Sequence, residues 1–381
     1  MSGSSPQQGL KVEALGTSRA DRLRFLRAGL EAYRGDPLFV PELEGDLLRR
    51  TDPGKNPFFR HAEVDHLLVL RDGRAVGRVA AIRNRLAEEF RKDRTGYFGW
   101  FECARDPEAA RALLDAGRER LKARGCDAVL GPVSYSTNDA CGLLVEGFDG
   151  PPVLMMSYNP PWYEELLLGA GLAPAEDLLA WLAFTKDMDR DERRRRVMER
   201  ARERGGWTLR PIRMDRFEQE LELLRVVYNR AWEDNWGFVP MTGDEFAFAA
   251  EDLRRIVDPD FVLVAEKEGR AVAFSLSLPD FNQVLHRLGG SLLPFGWAKA
   301  LWYSRKIDFL RVVALGVVPE ARGLGIEAGL YLETIRQCAL KGYRGGECSW
   351  TLQRNARIQH LMEGLGARPY RRYRLYQGPI R

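Results

Sequence analysis

The sequence predicts an α+β chain of two tandem domains, and two observations carry that prediction. The first is an internal repeat at a spacing of almost 200 residues, too long for a solenoid and right for a duplicated domain. The second is a strand that runs through a glycine turn straight into a helical pattern, Val312 to Glu327. Length and composition agree, since 381 residues suffice for two or three domains and a hydrophobic content of 45% builds real cores.

Taken in chain order, the repeat begins with Ala32 to Pro41, which returns as Ala231 to Pro240 at an offset of 199, sharing Ala, Phe, Val and Pro. Two apolar runs around a glycine follow, Asp65 to Gly77, and predict a pair of strands joined by a tight turn. That segment returns as Asp260 to Val272, with Gly-Arg-Ala-Val identical at an offset of 196. Asn159 and Asn355 share the same offset. These markers place a first domain at 9–187, a polar helical linker at 188–205 and a second domain at 206–381.

Several function classes drop out on composition. The formal charge is +4, from 58 basic and 54 acidic residues, which gives no large uncompensated field. Arg193 to Arg196 form the most basic run, but acids surround them and no aromatic residues interleave, so a solvated helix is favoured over a nucleic-acid surface. Met1 to Gln8 lack a signal-peptide core and no run of 18 apolar residues occurs, so no transmembrane segment and a cytoplasmic location are expected. Cys103, Cys126, Cys141, Cys338 and Cys348 are scattered singly, as buried free thiols are, and His61, His66, His286 and His360 lack ligand spacing, so no metal is expected.

At Val312 the sequence turns to chemistry. Val312 to Val318 favour a buried strand, and Pro319, which cannot pair centrally in a sheet, ends it. Gly323 and Gly325 let backbone N–H groups approach an anion. Ile326, Leu330 and Tyr331 recur at helical spacing, so a helix N-terminus faces the same point. Gly323-x-Gly325-x-x-Ala328 also matches a dinucleotide fingerprint, with Glu347 as the ribose-binding acid. However, Pro319 to Arg322 separate the strand from the first glycine, and the 56 residues after Gly325 are too few for two mononucleotide-binding halves. The Pro-x-x-Arg-Gly-x-Gly-Ile order instead resembles the acyl-CoA pyrophosphate loop of the GNAT superfamily of N-acetyltransferases. Asn355 to Ala367 resembles that family's next element, and Asn159 to Leu172, with Tyr163, resembles it again in the first half.

The resemblance implies, for each half, a mixed and mostly antiparallel sheet flanked by helices. It also implies an acyl-CoA site between two splayed strands of the second half. Leu315, Val317 and Val318 would follow the pantetheine, Arg322, Gly323, Leu324, Gly325 and Ile326 would hold the pyrophosphate, and Asn355, in the following element, would also bind the cofactor. Acetyl-CoA or another acyl-CoA is the implied co-substrate, and the acceptor is a small-molecule amine or amino-acid-like compound, with Trp232, Asn235, Trp236 and Asn138 as candidate contacts. A closer resemblance is to a bacterial group of tandem acetyltransferase-like proteins that shares Ser136-x-Asn138-Asp139-x-Cys141-Gly142 and Arg305-Lys-Ile-Asp308.

Departures from the family pattern matter as much. Glu327 stands where Gly or Ala is common, Met362 replaces the tyrosine used as general acid, and Val313 and Leu315 occupy the strand positions where a base commonly stands. A base therefore has to come from Asp308, Glu347, Tyr373 or, in the first half, Glu102. The first half has no glycine loop. Asp106 and Glu108 put carboxylates at its helix N-terminus, good capping chemistry but hostile to a pyrophosphate, so this half is expected to lack a CoA site.

Each half carries an insertion. Gly131 to Tyr158 reads as a long polar loop rich in glycine and proline. Gln283 to Lys306 holds more apolar residues than a surface loop needs, and reads as a buried excursion or homodimer contact, or else as an acyl-chain wall or membrane-touching element. The leading expectation is an acyl-CoA-dependent N-acyltransferase, with an acetyl donor first. A non-catalytic acyl-CoA-binding scaffold and a long-chain N-acyltransferase are the alternatives.

Overall fold

In the computed structural model, which describes residues 9–188, 192–290 and 296–380, the chain divides into two units. The first comprises Met1–Pro151, Met155–Asp177 and Tyr373–Arg381, the second Pro152–Leu154 and Leu178–Arg372.

The first unit opens with β1 (Lys11–Leu15), α1 (Arg19–Ala28) and α2 (Glu44–Arg50), followed by the hairpin β2 (Ala62–Arg71) and β3 (Arg74–Asn84). Asp72 and Gly73 form the two-residue turn with φ of 52° and 75°, the left-handed pair that matches strand twist. Next come α3 (Arg85–Arg91), β4 (Thr95–Cys103), α4 (Pro107–Ala123) and β5 (Ala128–Gly131). The order is β1-β2-β3-β4-β5, antiparallel except for the parallel pair β4/β5. The inserted segment is a loop only in its second part, 147–158, which has neither helix nor strand. Its first part forms the small sheet of β6 (Val133–Ser134) and β7 (Ser136–Cys141), then β8 (Leu143–Glu146), before α5 (Tyr163–Gly169) and β9 (Ala173–Phe184). Its polar residues hide the strand alternation that an apolar hairpin would display.

The second unit repeats the scheme. After α6 (Thr185–Met188) and α7 (Glu192–Gly205) come β10 (Trp207–Pro211), α8 (Phe217–Trp232), α9 (Gly243–Leu253), and the hairpin β11 (Val262–Lys267) and β12 (Arg270–Pro279). Glu268 and Gly269 make the same left-handed turn, at 52° and 74°. Then follow α10 (Asn282–Leu288), α11 (Gly296–Ser304), β13 (Phe309–Val317), α12 (Ile326–Lys341), β14 (Gly345–Leu352), α13 (Ala356–Gly364) and β15 (Arg368–Pro379). The order β10-β11-β12-β13-β14 continues onto the Leu178–Phe184 part of β9, with β13/β14 the parallel pair.

Two features differ from boundaries drawn on the repeat alone. The helix read as a solvated linker is α7, and it packs within the second unit, with Ala201 beside Gly325 and Met198 beside Gly329; Asp189 to Asp191 lie outside the described residues. The last residues of the chain serve the first unit, where Tyr376 is fully buried in the core with Leu113, Leu166 and Tyr163 and Tyr376–Pro379 pair with β5.

Candidate functional site

The parallel ladder between β13 and β14 runs from Phe309/Gly345 to Val312/Cys348 and stops there. A bulge sits at that point, because Ser277 faces Val312 while Leu276 faces Ala314, so Val313 has no residue opposite it. An extra residue bends its strand and increases its local twist. Beyond the bulge the edge of Val313 to Val317 toward β14 has no ladder partner from that strand, and the two strands form a fork. Trp232, at the end of α8, lies against this strand: a Cβ on Gly316 would come within 2.3 Å of its ring, so glycine is required there.

β13 leads into the glycine turn. Pro319–Ala321 make a short 3-10 turn, and Arg322 anchors it by donating from Nη2 to the Ala231 carbonyl at 2.9 Å. Gly323 and Gly325 have φ of 86° and 78°, a region costly for most side chains. The Leu324 carbonyl accepts from Trp207 Nε1 at 3.1 Å. Gly325 is the N-cap of α12 and supplies no side chain to the helix terminus. The first N–H groups of a 16-residue helix therefore lack a side-chain cap and present an anion-binding end. Glu327 is turned to Arg357 of α13 at 2.6 Å, so its charge is compensated there.

Next to the base of the fork lies a buried polar group. Glu347, on β14 opposite Arg311 of β13, is 0% exposed. Its Oε2 accepts from Tyr370, and its Oε1 has no hydrogen-bond partner. Arg311 donates from Nε to Ser349 Oγ at 3.0 Å and from Nη1 to the Leu154 carbonyl at 2.8 Å. Asp280, just past β12, accepts from the Leu154 N–H at 2.9 Å. Burial, with Glu347 nearby, pushes the Asp280 carboxyl up to about 6.

The remaining predicted residues are dispersed. Asp308 pairs with Arg344 at 3.0 Å on the surface, and Tyr373 is buried but belongs to the first unit. Asn355 caps α13 by accepting from the Ile358 N–H. Met362 is fully buried with Val312, Tyr331 and Cys348, where they line an apolar cavity of about 40 Å³. Trp236 lies beneath the Arg354 guanidinium at 5.8 Å, and the Asn235 backbone closes a turn by bonding to Trp232 and Phe238. Sequence reasoning did not find Asp280, Arg311, Tyr370 or the bulge. Only the position of Asp280 at the end of a strand hinted at any of them. Among the described residues no His, Cys, Asp and Glu cluster is placed to hold a metal ion, and the five cysteines are buried and form no disulfide.

The first unit fills the matching place differently. β4 and β5 pair only from Thr95/Ala128 to Tyr97/Leu130, but the inserted hairpin enters where they part. A Cβ on Gly99 would sit 1.4 Å from the Val133 carbonyl oxygen, and one on Gly131 would sit 2.1 Å from that of Phe98. Asp106 caps α4 and is held by Arg71 at 2.7 Å, and Arg71 also reaches Glu108. Asn138 lies in β7 of this hairpin. Glu102 is internally satisfied, since Tyr33 and Tyr163 both donate to its Oε2 at 2.7 Å and Arg78 lies at 3.6 Å. Tyr163 also accepts from the Cys103 N–H at 3.0 Å.

Comparison with known proteins places this geometry. No family model matches the chain. Protein YghO of Escherichia coli is 35% identical over 372 residues, spanning 95% of this chain and 94% of that protein. Bacterial ceramide synthase of Caulobacter vibrioides is 34% identical over 373 residues, spanning 94% of each. Among solved structures, a tandem GNAT protein from the clavulanic acid biosynthesis pathway superposes with a TM-score of 0.57 at 12% identity, covering 98% of this chain and 99% of its own; that likeness concerns the fold.

Proposed function

The chain belongs to the bacterial family of those two relatives and has the fold of a tandem GNAT protein, and from that premise we propose that it is an acyltransferase of the GNAT type whose second unit transfers an acyl group from acyl-CoA to an amine. The observation that carries the reading is the fork of β13 and β14, with its bulge at Val313 and its uncapped glycine turn. The pyrophosphate would rest against the N–H groups from Gly323 to Glu327, and the pantetheine would follow the open edge of Val313 to Val317. That places the thioester at the base of the fork.

There the neutral amine attacks the thioester carbonyl. A C–N bond forms, the C–S bond breaks, and the proton released by the amine passes to Glu347 Oε1 and on to the departing thiolate, giving free CoA. Glu347 suits this role as a buried carboxylate with one oxygen unpartnered and the other fixed by Tyr370. Met362, buried in the core, takes no part. The first unit, its fork occupied by its own backbone, acts as a scaffold without a CoA site.

A long acyl chain is favoured over acetyl. One relative's name denotes formation of a ceramide, which is an amide of a fatty acid and a long-chain amine. The apolar cavity beneath the fork is too small for such a chain, so the chain would leave by the opposite face of the sheet. The test is release of free thiol from acetyl-, octanoyl- and palmitoyl-CoA with short and long primary amines. Amine-dependent release, fastest with the longest donor and lost in Glu347→Gln, is the expected result. Binding of acyl-CoA without release in any pairing would make the protein a binding scaffold instead.

A further inference from the structure

The reading of the fork leaves α11 unexplained. Its exposed side carries Trp297, Leu301 and Trp302, which are 63%, 59% and 54% exposed. Two tryptophans and a leucine within six positions are an unusual surface for a short helix, because apolar side chains of that size are normally covered. The opposite side of the helix faces α10, whose Val284 and Leu285 are buried.

Charge says what covers this face. From Phe281 to Ile307 the sequence has no acidic residue and carries Arg287, Lys299, Arg305 and Lys306. Lys299, Arg305 and Lys306 are exposed and border the apolar stripe. The Lys306 ammonium lies 3.5 Å from the centre of the Trp302 ring, and the Arg287 guanidinium lies 4.9 Å from that of Tyr303. Tryptophan rings with an apolar body and a polar N–H edge, bordered by cations on long stems, fit the boundary between lipid headgroups and acyl chains. A protein partner for so uniformly cationic a rim would need an acidic frame around an apolar pocket. An anionic bilayer offers both chemistries everywhere on its surface. No helix among the described residues is long and apolar enough to cross a bilayer, so the contact is one of lying on the surface.

We infer that α11 docks the second unit on an anionic lipid surface, with Trp297, Leu301 and Trp302 entering the interface and Lys299, Arg305 and Lys306 contacting headgroup phosphates. Position within the unit gives this a purpose. α11 leads into the Phe309 end of β13, whereas the glycine turn lies beyond its Val317 end, about 26 Å away for a strand of this length. A docked α11 would keep the anion-binding turn toward water and the start of β13 toward the lipid. The inference does not depend on the chemistry assigned to the fork.

Co-flotation with vesicles tests it, using the full chain with phosphatidylcholine alone and with phosphatidylcholine containing one third phosphatidylglycerol. The expected result is flotation with the anionic vesicles, weakened by salt, and at least roughly tenfold weaker partition in Trp297→Ala/Trp302→Ala. Lys299→Glu/Lys306→Glu should lose binding to the anionic vesicles selectively, by roughly fivefold or more per cation removed. All these side chains are exposed, so an unchanged melting midpoint confirms folding of each variant. Failure of the wild type to float with either vesicle would overturn the proposal. So would a wild-type dimer that dissociates on Leu301→Glu, because the face would then belong to a second copy.

Discussion

The two forks of this chain share a ladder and differ in what occupies it. In both units a parallel strand pair stops after a few residues. In the second unit the strands part around open backbone and lead to an uncapped helix. In the first, a hairpin carbonyl fills the gap, an aspartate caps the helix and an arginine holds the aspartate. Each fork also has a glutamate beside it, Glu102 half-buried and Glu347 buried, yet Glu102 has every neighbour it needs while Glu347 keeps one oxygen without a partner. The comparison teaches that a duplicated scaffold can keep its fold while one fork is filled by local satisfaction: backbone and side-chain groups left open in one unit meet the protein itself in the other.

The largest effect that could break this comparison is chemical. Glu347→Gln should lower kcat about 10² to 10⁴-fold, the usual share of a general base, while Glu102→Gln should leave kcat per folded molecule unchanged. Equal losses from the two would merge the forks into one mechanism.

A second contrast is in pH. Asp280, raised to about 6 by burial and Glu347, contributes stability that is full below its unfolded value near 4 and lost as pH rises through 6, at most about 3 kcal/mol. Asp106 runs the other way. Burial raises it, but Arg71 and the Ala109 N–H outweigh burial and hold it low, so its contribution is present at neutral pH and lost on acidification. Melting curves of Asp280→Asn should therefore gain on wild type from pH 4 to 7, whereas those of Asp106→Asn should trail wild type by a steady margin over that span and close on it only below pH 4, where the wild type loses the Asp106 contribution. Curves parallel to wild type through each of these windows would refute both assignments.

Tyr163→Phe, which removes the donor to Glu102 and the acceptor for Cys103 N–H, should cost about 1–3 kcal/mol of stability and leave CoA affinity untouched. The smallest effect should come from Arg357→Ala, which leaves Glu327 uncompensated near the turn. Titration should show CoA binding about fivefold weaker, on the order of 1 kcal/mol.

What the sequence made legible was local. The glycines of both hairpins and of the loop announce backbone shapes that few other residues adopt, and those of the hairpins stand where the repeat put them. The hairpin that closes the first fork was not legible, because Ser136, Asn138 and Asp139 carry turn chemistry and hide its alternation. Nor was the group around Glu347: Leu154, Asp280, Arg311 and Tyr370 meet only through sheet pairing and packing, and no spacing in the chain relates them. Glu327 read as an obstacle because its partner, Arg357, lies 30 residues on, on a different helix.

The central claim, that one fork is open to CoA and the other closed, is tested most directly by calorimetric titration of CoA into wild type and Gly323→Asp. A Cβ at Gly323 meets nothing within 4 Å, and aspartate tolerates left-handed backbone better than most residues, so the variant adds a negative charge to the turn with little disturbance. One site per chain in the wild type, lost in Gly323→Asp at an unchanged melting midpoint, is the predicted result. Two sites per chain, or binding that survives the substitution, would contradict the account.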